Sequence, residues 1–154
     1  MEEVMIILFL MMDAAFAFLM ICCAVSDKRT RIIPNSLIST LFALSALRIG
    51  IACAKGYSLF PYIMSIPLFF LCCMCWKRGA LGGGDVKLMT AICFYFGFWQ
   101  TAISFEISLI AMLLRYGKQF YRNEQGARLQ IAYAPPLAVG CLITLAGQYI
   151  PAIL

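Results

Sequence analysis

Long apolar runs separated by short polar segments dominate the pattern of this chain. A helix that crosses a membrane needs about 17–25 predominantly apolar residues. Four of the five runs have this length, and the fourth along the chain is longer. The pattern predicts an all-α, polytopic membrane helix bundle built from runs at about residues 4–25, 36–54, 59–76, 86–114 and 134–153.

The run at 86–114 is too long for one ordinary span. It contains a Gly-Phe-Trp-Gln segment at 97–100, and aromatic residues favour the membrane interface. We therefore divide it into two short helices, which gives about six transmembrane helices. One kinked helix in this region would give five spans and would place the C-terminus on the other side of the membrane.

Composition supports the membrane assignment. Of the 154 residues, 64% are hydrophobic and 12% are charged, whereas soluble domains carry about 25% charged residues. The mean hydropathy is +0.92. This length leaves room for one domain, residues 1–154. The start Met1-Glu2-Glu3 lacks the positive charge that opens a signal peptide, so we expect the first run to remain as a transmembrane helix.

The basic residues predict the orientation of the bundle. Cytoplasmic loops of membrane proteins carry an excess of Lys and Arg, which places both termini outside. The net charge of +5 therefore indicates contact with membrane lipids and not with nucleic acid. Ten of the twelve basic residues fall on the predicted cytoplasmic side: Lys28, Arg29, Arg31, Lys77, Arg78, Lys87, Arg115, Lys118, Arg122 and Arg128.

Cysteine and histidine usage argues against metal chemistry. The chain has eight cysteines and no histidine, so no His-based metal site or Ser-His pair can form. Cys72 and Cys75 make a C-x-x-C pair in an apolar run without a second ligand pair. We interpret the cysteines as small packing residues and predict no metal and no cofactor.

Three ionisable residues lie deep within the apolar runs. Asp13 precedes Asp27 by 14 residues and Arg48 follows Asn35 by 13, which is about 20 Å along a helix in each case. The similar depth predicts an ion pair between Arg48 and Asp13, with Glu106 as the competitor of Asp13. We expect this pair to hold the helices in register.

Two aspartates lie at the predicted cytoplasmic boundary. Asp27 ends the first run, and Asp85 follows the three glycines at 82–84. Two neighbouring carboxyls share a proton, so one can act as a base on water while the other polarises a carbonyl. The glycines allow another chain to approach closely. Alternatively, Asp27 is a solvated loop charge and Asp85 an ordinary helix N-cap.

These segments resemble a known family. Gly82-Gly83-Gly84-Asp85 is a G-x-G-D motif, and Lys87 follows it. Asp27 is followed by Ile33-Pro34-Asn35, and the last run opens with Pro135-Pro136. Together they are similar to the type IV prepilin peptidases over essentially the whole chain. The resemblance implies that Asp27 and Asp85 are catalytic, that Gly82 and Gly84 are motif backbone, and that Lys87 is a motif residue without an assigned role.

The resemblance also implies an activity. Such enzymes are membrane aspartic endopeptidases of the prokaryotic cytoplasmic membrane. They remove short basic leaders from prepilins or pseudopilins at the cytoplasmic face, typically after a glycine, so that pili or secretion filaments can assemble. Long members carry an insertion with two C-x-x-C pairs that accompanies N-methylation. This chain lacks it, so we expect no methyltransferase activity, no zinc and no S-adenosylmethionine requirement.

The ionisable residues also allow two functions other than a peptidase. A small proton-coupled transporter would use Asp13, Arg48 and Glu106 along a path at the membrane midplane. A non-enzymatic subunit of a secretion machine would use the boundary aspartates only as caps. Within the peptidase hypothesis, the dipole of the fourth helix favours a negative charge at its start. This predicts that Asp85 is the more acidic carboxyl and that Asp27 carries the proton.

Overall fold

The structure is a computed structural model that describes residues 2–79, 81–122 and 132–149, with side chains over 4–79, 81–116 and 132–149. Every regular element in these ranges is a helix, which confirms the all-α prediction. The helices are α1 (Glu2–Thr30), α2 (Asn35–Ala54), α3 (Phe60–Ile63), α4 (Ser65–Lys77), α5 (Gly83–Phe96), α6 (Phe98–Arg122) and α7 (Ala134–Tyr149).

Three stretches of the described chain are long and apolar enough to cross a membrane. They are Val4–Thr30, Asn35–Ala54 and the α3–α4 segment Phe60–Lys77. By contrast, α5 has 14 residues and is about 21 Å long, which is shorter than the hydrocarbon core of about 30 Å. The long apolar helices support a membrane helix bundle, and α5 is an internal element of that bundle.

The break between α5 and α6 lies at Gly97, inside the segment predicted to divide the long apolar run. Gly97 has a φ of 76°, a backbone conformation that glycine adopts without steric cost. A Cβ atom at this position would lie 3.0 Å from the Cβ of Pro61. The division into two helices is therefore confirmed, and the single kinked helix is wrong.

The third apolar run is interrupted in a way that the sequence analysis did not predict. α3 ends at Ile63 and α4 begins at Ser65. Pro67 follows the break, and a proline inside a helix removes one hydrogen bond and clashes with the carbonyl four residues earlier. That carbonyl belongs to Ile63, so the position of the break has a direct steric cause.

The short helix α5 lies at the centre of the bundle. It packs against α2, α4 and α6, while α7 packs against α1 and α6. Phe16 of α1 stacks on Tyr95 of α5 with ring centroids 4.0 Å apart. Nine residues of α5 are buried: Val86, Leu88, Met89, Thr90, Ala91, Ile92, Cys93, Tyr95 and Phe96. This central packing fixes where the N-terminus of α5, and with it Asp85, lies in the bundle.

The helices α6 and α7 approach closely through small residues. A Cβ atom at Gly140 would overlap the carbonyl oxygen of Ser104 and the hydroxyl of Ser108. Ser104 Oγ also donates a hydrogen bond to Thr144 Oγ1 over 2.8 Å. Small residues of this kind allow the backbones of membrane helices to touch, so α6 anchors α7.

Candidate active site

The chain reversal after α1 brings the first motif back onto the bundle. Ser26 Oγ donates a hydrogen bond to the carbonyl of Ile32 over 2.9 Å, and Thr30 Oγ1 donates to the carbonyl of Ser26 over 3.0 Å. Ile33 is then buried, and Pro34 is the N-cap residue of α2. This tight reversal explains why an aspartate near the end of α1 is followed so soon by Ile-Pro-Asn.

Two contacts join this reversal to the glycine motif before α5. A Cβ atom at Gly84 would lie 3.9 Å from the Cβ of Ile33, which is ordinary van der Waals distance. Lys87 Nζ donates a hydrogen bond to Asn35 Oδ1 over 3.2 Å. The two segments that resemble family motifs are therefore packed together, although 52 residues separate Asn35 from Lys87.

Asp27 is buried, with 6% of its surface exposed. Its Oδ2 accepts a hydrogen bond from the backbone N–H of Ala134 over 3.0 Å. Ala134 is the first residue of α7, and 107 residues separate the two partners. The alternative in which Asp27 is a solvated loop charge is wrong, because the carboxyl group is packed inside the bundle at the start of α7.

Asp85 is the third residue of α5, and Gly82 is the N-cap residue of that helix. The carboxyl group turns back over the N-cap, so that a Cβ atom at Gly82 would lie 3.0 Å from Asp85 Oδ2. An acidic residue at this third position commonly reaches back to the N-cap backbone. Asp85 is therefore not the N-cap residue, which corrects that alternative, and Gly82 leaves the room that its carboxylate occupies.

The protonation of Asp85 differs from the expectation based on the helix dipole. Burial raises the pKa of Asp85 and the charge of Asp27 raises it further, while a hydrogen bond with the Gly82 backbone lowers it; the result is about 6. The pKa of Asp85 is thus raised, whereas the helix dipole alone was expected to lower it. Desolvation and a like charge outweigh the dipole, and the ammonium of Lys87 is bonded to Asn35.

The pKa of Asp85 also shows that the two carboxyls form one electrostatic site. Asp27 and Asp85 come from different helices, 58 residues apart in the sequence, and the charge of one changes the pKa of the other. Tyr133 belongs to the same region, because burial and then the charge of Asp85 raise the pKa of its hydroxyl. A carboxyl with a pKa near neutrality beside a second carboxyl is suited to acid–base chemistry.

The deep ionisable residues form a separate network. Arg48 Nη1 lies 2.5 Å from Asp13 Oδ1, and the hydroxyl of Tyr95 donates to the same oxygen over 2.5 Å. The hydroxyl of Tyr149 donates to Asp13 Oδ2. The structure thus pairs Arg48 with Asp13. Within the described side chains Glu106 makes no ion pair; it is exposed on α6, so its expected competition for Arg48 is wrong.

This network is structural in character. Both carboxylate oxygens of Asp13 have partners, and Asp13 is 5% exposed. A buried ion pair is tolerated when further hydrogen bonds satisfy its charges. The sequence analysis missed Tyr95 and Tyr149, whose hydroxyls lie within apolar runs; buried tyrosines in such runs are the signal that could have indicated them.

The remaining predicted site residues also have defined places. Pro135 is half-buried and Pro136 is buried at the start of α7. Cys72 is buried with its Sγ 4.0 Å from Met89 Sδ. Among the described residues, no group of three or more His, Cys, Asp or Glu side chains could hold a metal ion.

Comparison with known protein families agrees with this site. The model of the type IV leader peptidase family matches residues 14–116, a range that contains Asp27, Asp85 and the three glycines. The chain therefore belongs to the type IV leader peptidase family, which is a family of membrane proteases. Neither the curated proteins nor the solved structures give a match.

Proposed function

We propose that this chain is a prepilin or pseudopilin leader peptidase, a membrane-embedded aspartic endopeptidase whose catalytic residues are Asp27 and Asp85. The observation that carries the proposal is the packing of the glycine segment that precedes Asp85 against the chain reversal that follows the buried Asp27. The charge of Asp27 raises the pKa of Asp85, as expected when two carboxyls share a proton. Family membership supplies the reaction class, and the paired carboxyls supply its chemistry.

The difference between the two carboxyls suggests their roles. Because its pKa is raised to about 6, Asp85 keeps a protonated fraction near neutral pH, and in that form it donates a hydrogen bond to the carbonyl oxygen of the scissile peptide. Asp27 removes a proton from the attacking water, whose oxygen bonds to the carbonyl carbon. The tetrahedral intermediate collapses when the C–N bond breaks, and the departing amine takes up the proton that Asp27 received, which returns Asp27 to its ionised form. This reaction needs two carboxyls and a water molecule, and the proposal includes neither a metal nor a cofactor.

The glycine segment supports access by an extended peptide. Gly82 and Gly83 are exposed beside the half-buried Asp85, while Gly84 is half-buried against Ile33. Residues without side chains leave backbone groups open to a second chain. We propose that the residues around the scissile bond lie along this segment, and that Pro34, Asn35 and Lys87 act only in holding it.

The cations give the proposed orientation and partners. The ten basic residues of the predicted cytoplasmic loops support an orientation with the carboxyl pair at the cytoplasmic face of a prokaryotic cytoplasmic membrane, with anionic lipids around them. In this proposal the substrate is a prepilin-like protein with a short basic leader, and nucleic acid is not a partner. The residues 1–154 act as one peptidase domain without methyltransferase activity.

Co-expression with a prepilin from the same genome tests the proposal. The wild-type chain, Asp27→Asn, Asp85→Asn and the control Glu106→Gln are each produced in the membrane, and leader removal is followed as a size shift. Like the two aspartate variants, Glu106→Gln replaces a carboxyl with an amide, but at an exposed position outside the site. We expect processing by the wild type and the control only. Full processing by either aspartate variant would remove that aspartate from the mechanism.

A further inference from the structure

The start of α7 offers one particular donor to the site. Ala134 is fully buried, and its N–H donates to Asp27 Oδ2 over 3.0 Å. Pro135 and Pro136 follow it and have no N–H, since proline lacks this donor. The N–H of Leu137 donates to the carbonyl of Tyr133 over 3.2 Å. Among residues 134–137, Ala134 is thus the only one whose N–H faces a carboxylate.

This donor is held by a rigid part of the bundle. α7 packs against both α1 and α6, and Gly140 fixes the approach of α7 to α6. Ser104 and Thr144 add a hydrogen bond across the same pair of helices. Asp27 belongs to α1, so the bond from Ala134 ties the carboxyl to a backbone whose own position is set elsewhere.

We propose that the backbone N–H of Ala134 is a positioning group for Asp27: it holds Oδ2 and leaves Oδ1 as the oxygen that receives the proton of the attacking water. The two prolines after it keep the helix start free of other donors that would compete for the carboxylate. This inference rests on the proposed function, because it assigns a role within the same carboxyl pair. It concerns a backbone group and not a side chain.

Several titratable and charged groups surround Asp27, and each of them could affect the pH dependence of cleavage. Exposed cations come from α1 and the loop after it, a carboxyl and an ammonium come from α5, a phenol comes from the segment before α7, and two buried thiols lie near that phenol. A change confined to the N–H of residue 134 leaves all of these groups in place: Lys28, Arg29, Arg31, Asp85, Lys87, Tyr133, Cys72 and Cys141.

The cleanest perturbation replaces the amide with an ester. A proline at position 134 would also remove the donor, but it would add ring atoms at a fully buried position. Cell-free synthesis of the full chain into liposomes, with lactic acid inserted at position 134, exchanges the N–H for an oxygen atom and keeps the methyl group. It also turns the Tyr133 carbonyl into an ester carbonyl, which is a weaker acceptor for the N–H of Leu137. The matched control, Leu137→leucic acid, removes the N–H that donates to Tyr133 in the same helical turn.

The rate of prepilin cleavage is then measured against pH for the wild type and both esters. We expect Ala134→lactic acid to lower kcat at least about tenfold, because hydrogen bonds to charged groups are the stronger kind. KM stays unchanged. The acid limb of its pH profile moves to higher pH, because an N–H that donates to a carboxylate favours the ionised form. Leu137→leucic acid keeps the wild-type pH profile.

Three outcomes overturn one or the other of two claims, the positioning role of the N–H and the peptidase function. An Ala134 ester with the kcat and pH profile of the control ester shows that the N–H has no positioning role, while the peptidase function stands. A pH shift of equal size in both esters assigns the effect to a weakened helix start and also refutes the inference. A wild-type chain that cleaves no prepilin overturns the proposed function itself.

Discussion

The space beside Gly82 is filled by the carboxylate of Asp85, so we expect the added methyl group of Gly82→Ala to lower kcat strongly. In Gly82→Ala the new Cβ would lie 3.0 Å from Asp85 Oδ2, which is closer than almost all such contacts in proteins, so the carboxylate must move by a few tenths of an ångström. The backbone itself is not strained, because Gly82 has a φ of −73° and a ψ of 149°, which alanine adopts freely. The substitution therefore acts mainly on the position of Asp85.

The magnitude follows from how tightly catalytic groups must be held. Productive geometry tolerates about 0.5 Å, and a misplacement of about 1 Å costs about 100-fold in rate. A shift of a few tenths of an ångström should therefore lower kcat by about tenfold. Alanine is also a poorer N-cap than glycine, which costs about 0.5–1 kcal/mol of folding free energy, too little to unfold the bundle.

The neighbouring glycine supplies the matched control. A Cβ atom at Gly83 would lie 3.6 Å from Trp76 Nε1, which is an ordinary contact. Both variants are purified and reconstituted, and kcat, KM and the melting temperature are measured with a prepilin substrate. Gly83 borders the proposed peptide path, so we expect Gly83→Ala to raise KM and to keep kcat within about twofold of the wild type, as a loss of uniform substrate binding does. Equal kcat values for Gly82→Ala and Gly83→Ala would refute the steric argument.

Three further predictions test other parts of the account. Asp85 is needed in its protonated form and has a pKa of about 6, so kcat/KM should fall as the pH rises above that value, and a wild-type rate that rises steadily to pH 9 would contradict the role. Because the pKa of Asp85 is raised from 3.8 to about 6, Asp85→Asn should be more stable than the wild type at pH 7.5, and this difference in unfolding free energy should shrink as the pH falls from about 6 to 3.8. Gly140→Ala should lower the unfolding free energy of the bundle by about 2–4 kcal/mol through overpacking and loss of a hydrogen bond. Gly147→Ala, whose added Cβ would have no neighbour within 4 Å, should be neutral or slightly stabilising in thermal unfolding. Similar losses of stability in both variants would refute the close approach of α6 and α7. Arg48→Leu leaves Asp13 buried without its cation and should cost about 3–5 kcal/mol, while the folded fraction keeps its specific activity; a stable but inactive variant would argue for a role in the chemistry.

The sequence predicted those parts of the fold that depend on local pattern. Apolar length identified the helices, and the Gly-Phe-Trp-Gln segment located the break that the structure has at Gly97. Equal depth along α1 and α2 predicted the contact of Arg48 with Asp13. The break before Pro67 could also have been predicted, since proline disrupts the preceding helical turn. It was missed because the run was assigned from its hydropathy alone.

Other features depend on contacts that no local pattern contains. The pKa of Asp85 is set by burial and by a carboxyl from α1, so a dipole argument confined to α5 gave the wrong direction. Tyr149 reaches Asp13 across 136 residues of sequence. The donor to Asp27 is a backbone N–H at the start of α7, and every residue except proline carries such a group. These contacts become visible only when the packing of the helices is known.

Peptide cleavage by the purified chain in liposomes tests most directly whether the reaction requires both Asp27 and Asp85. A synthetic peptide that spans the leader junction of a prepilin is incubated with the wild type, Asp27→Asn and Asp85→Asn, and mass spectrometry identifies the products. The account predicts one cut at the leader junction by the wild type and none by either variant, with both variants folded as judged by thermal unfolding. Cleavage at the wild-type rate by Asp27→Asn or by Asp85→Asn would contradict a mechanism that requires both carboxyls.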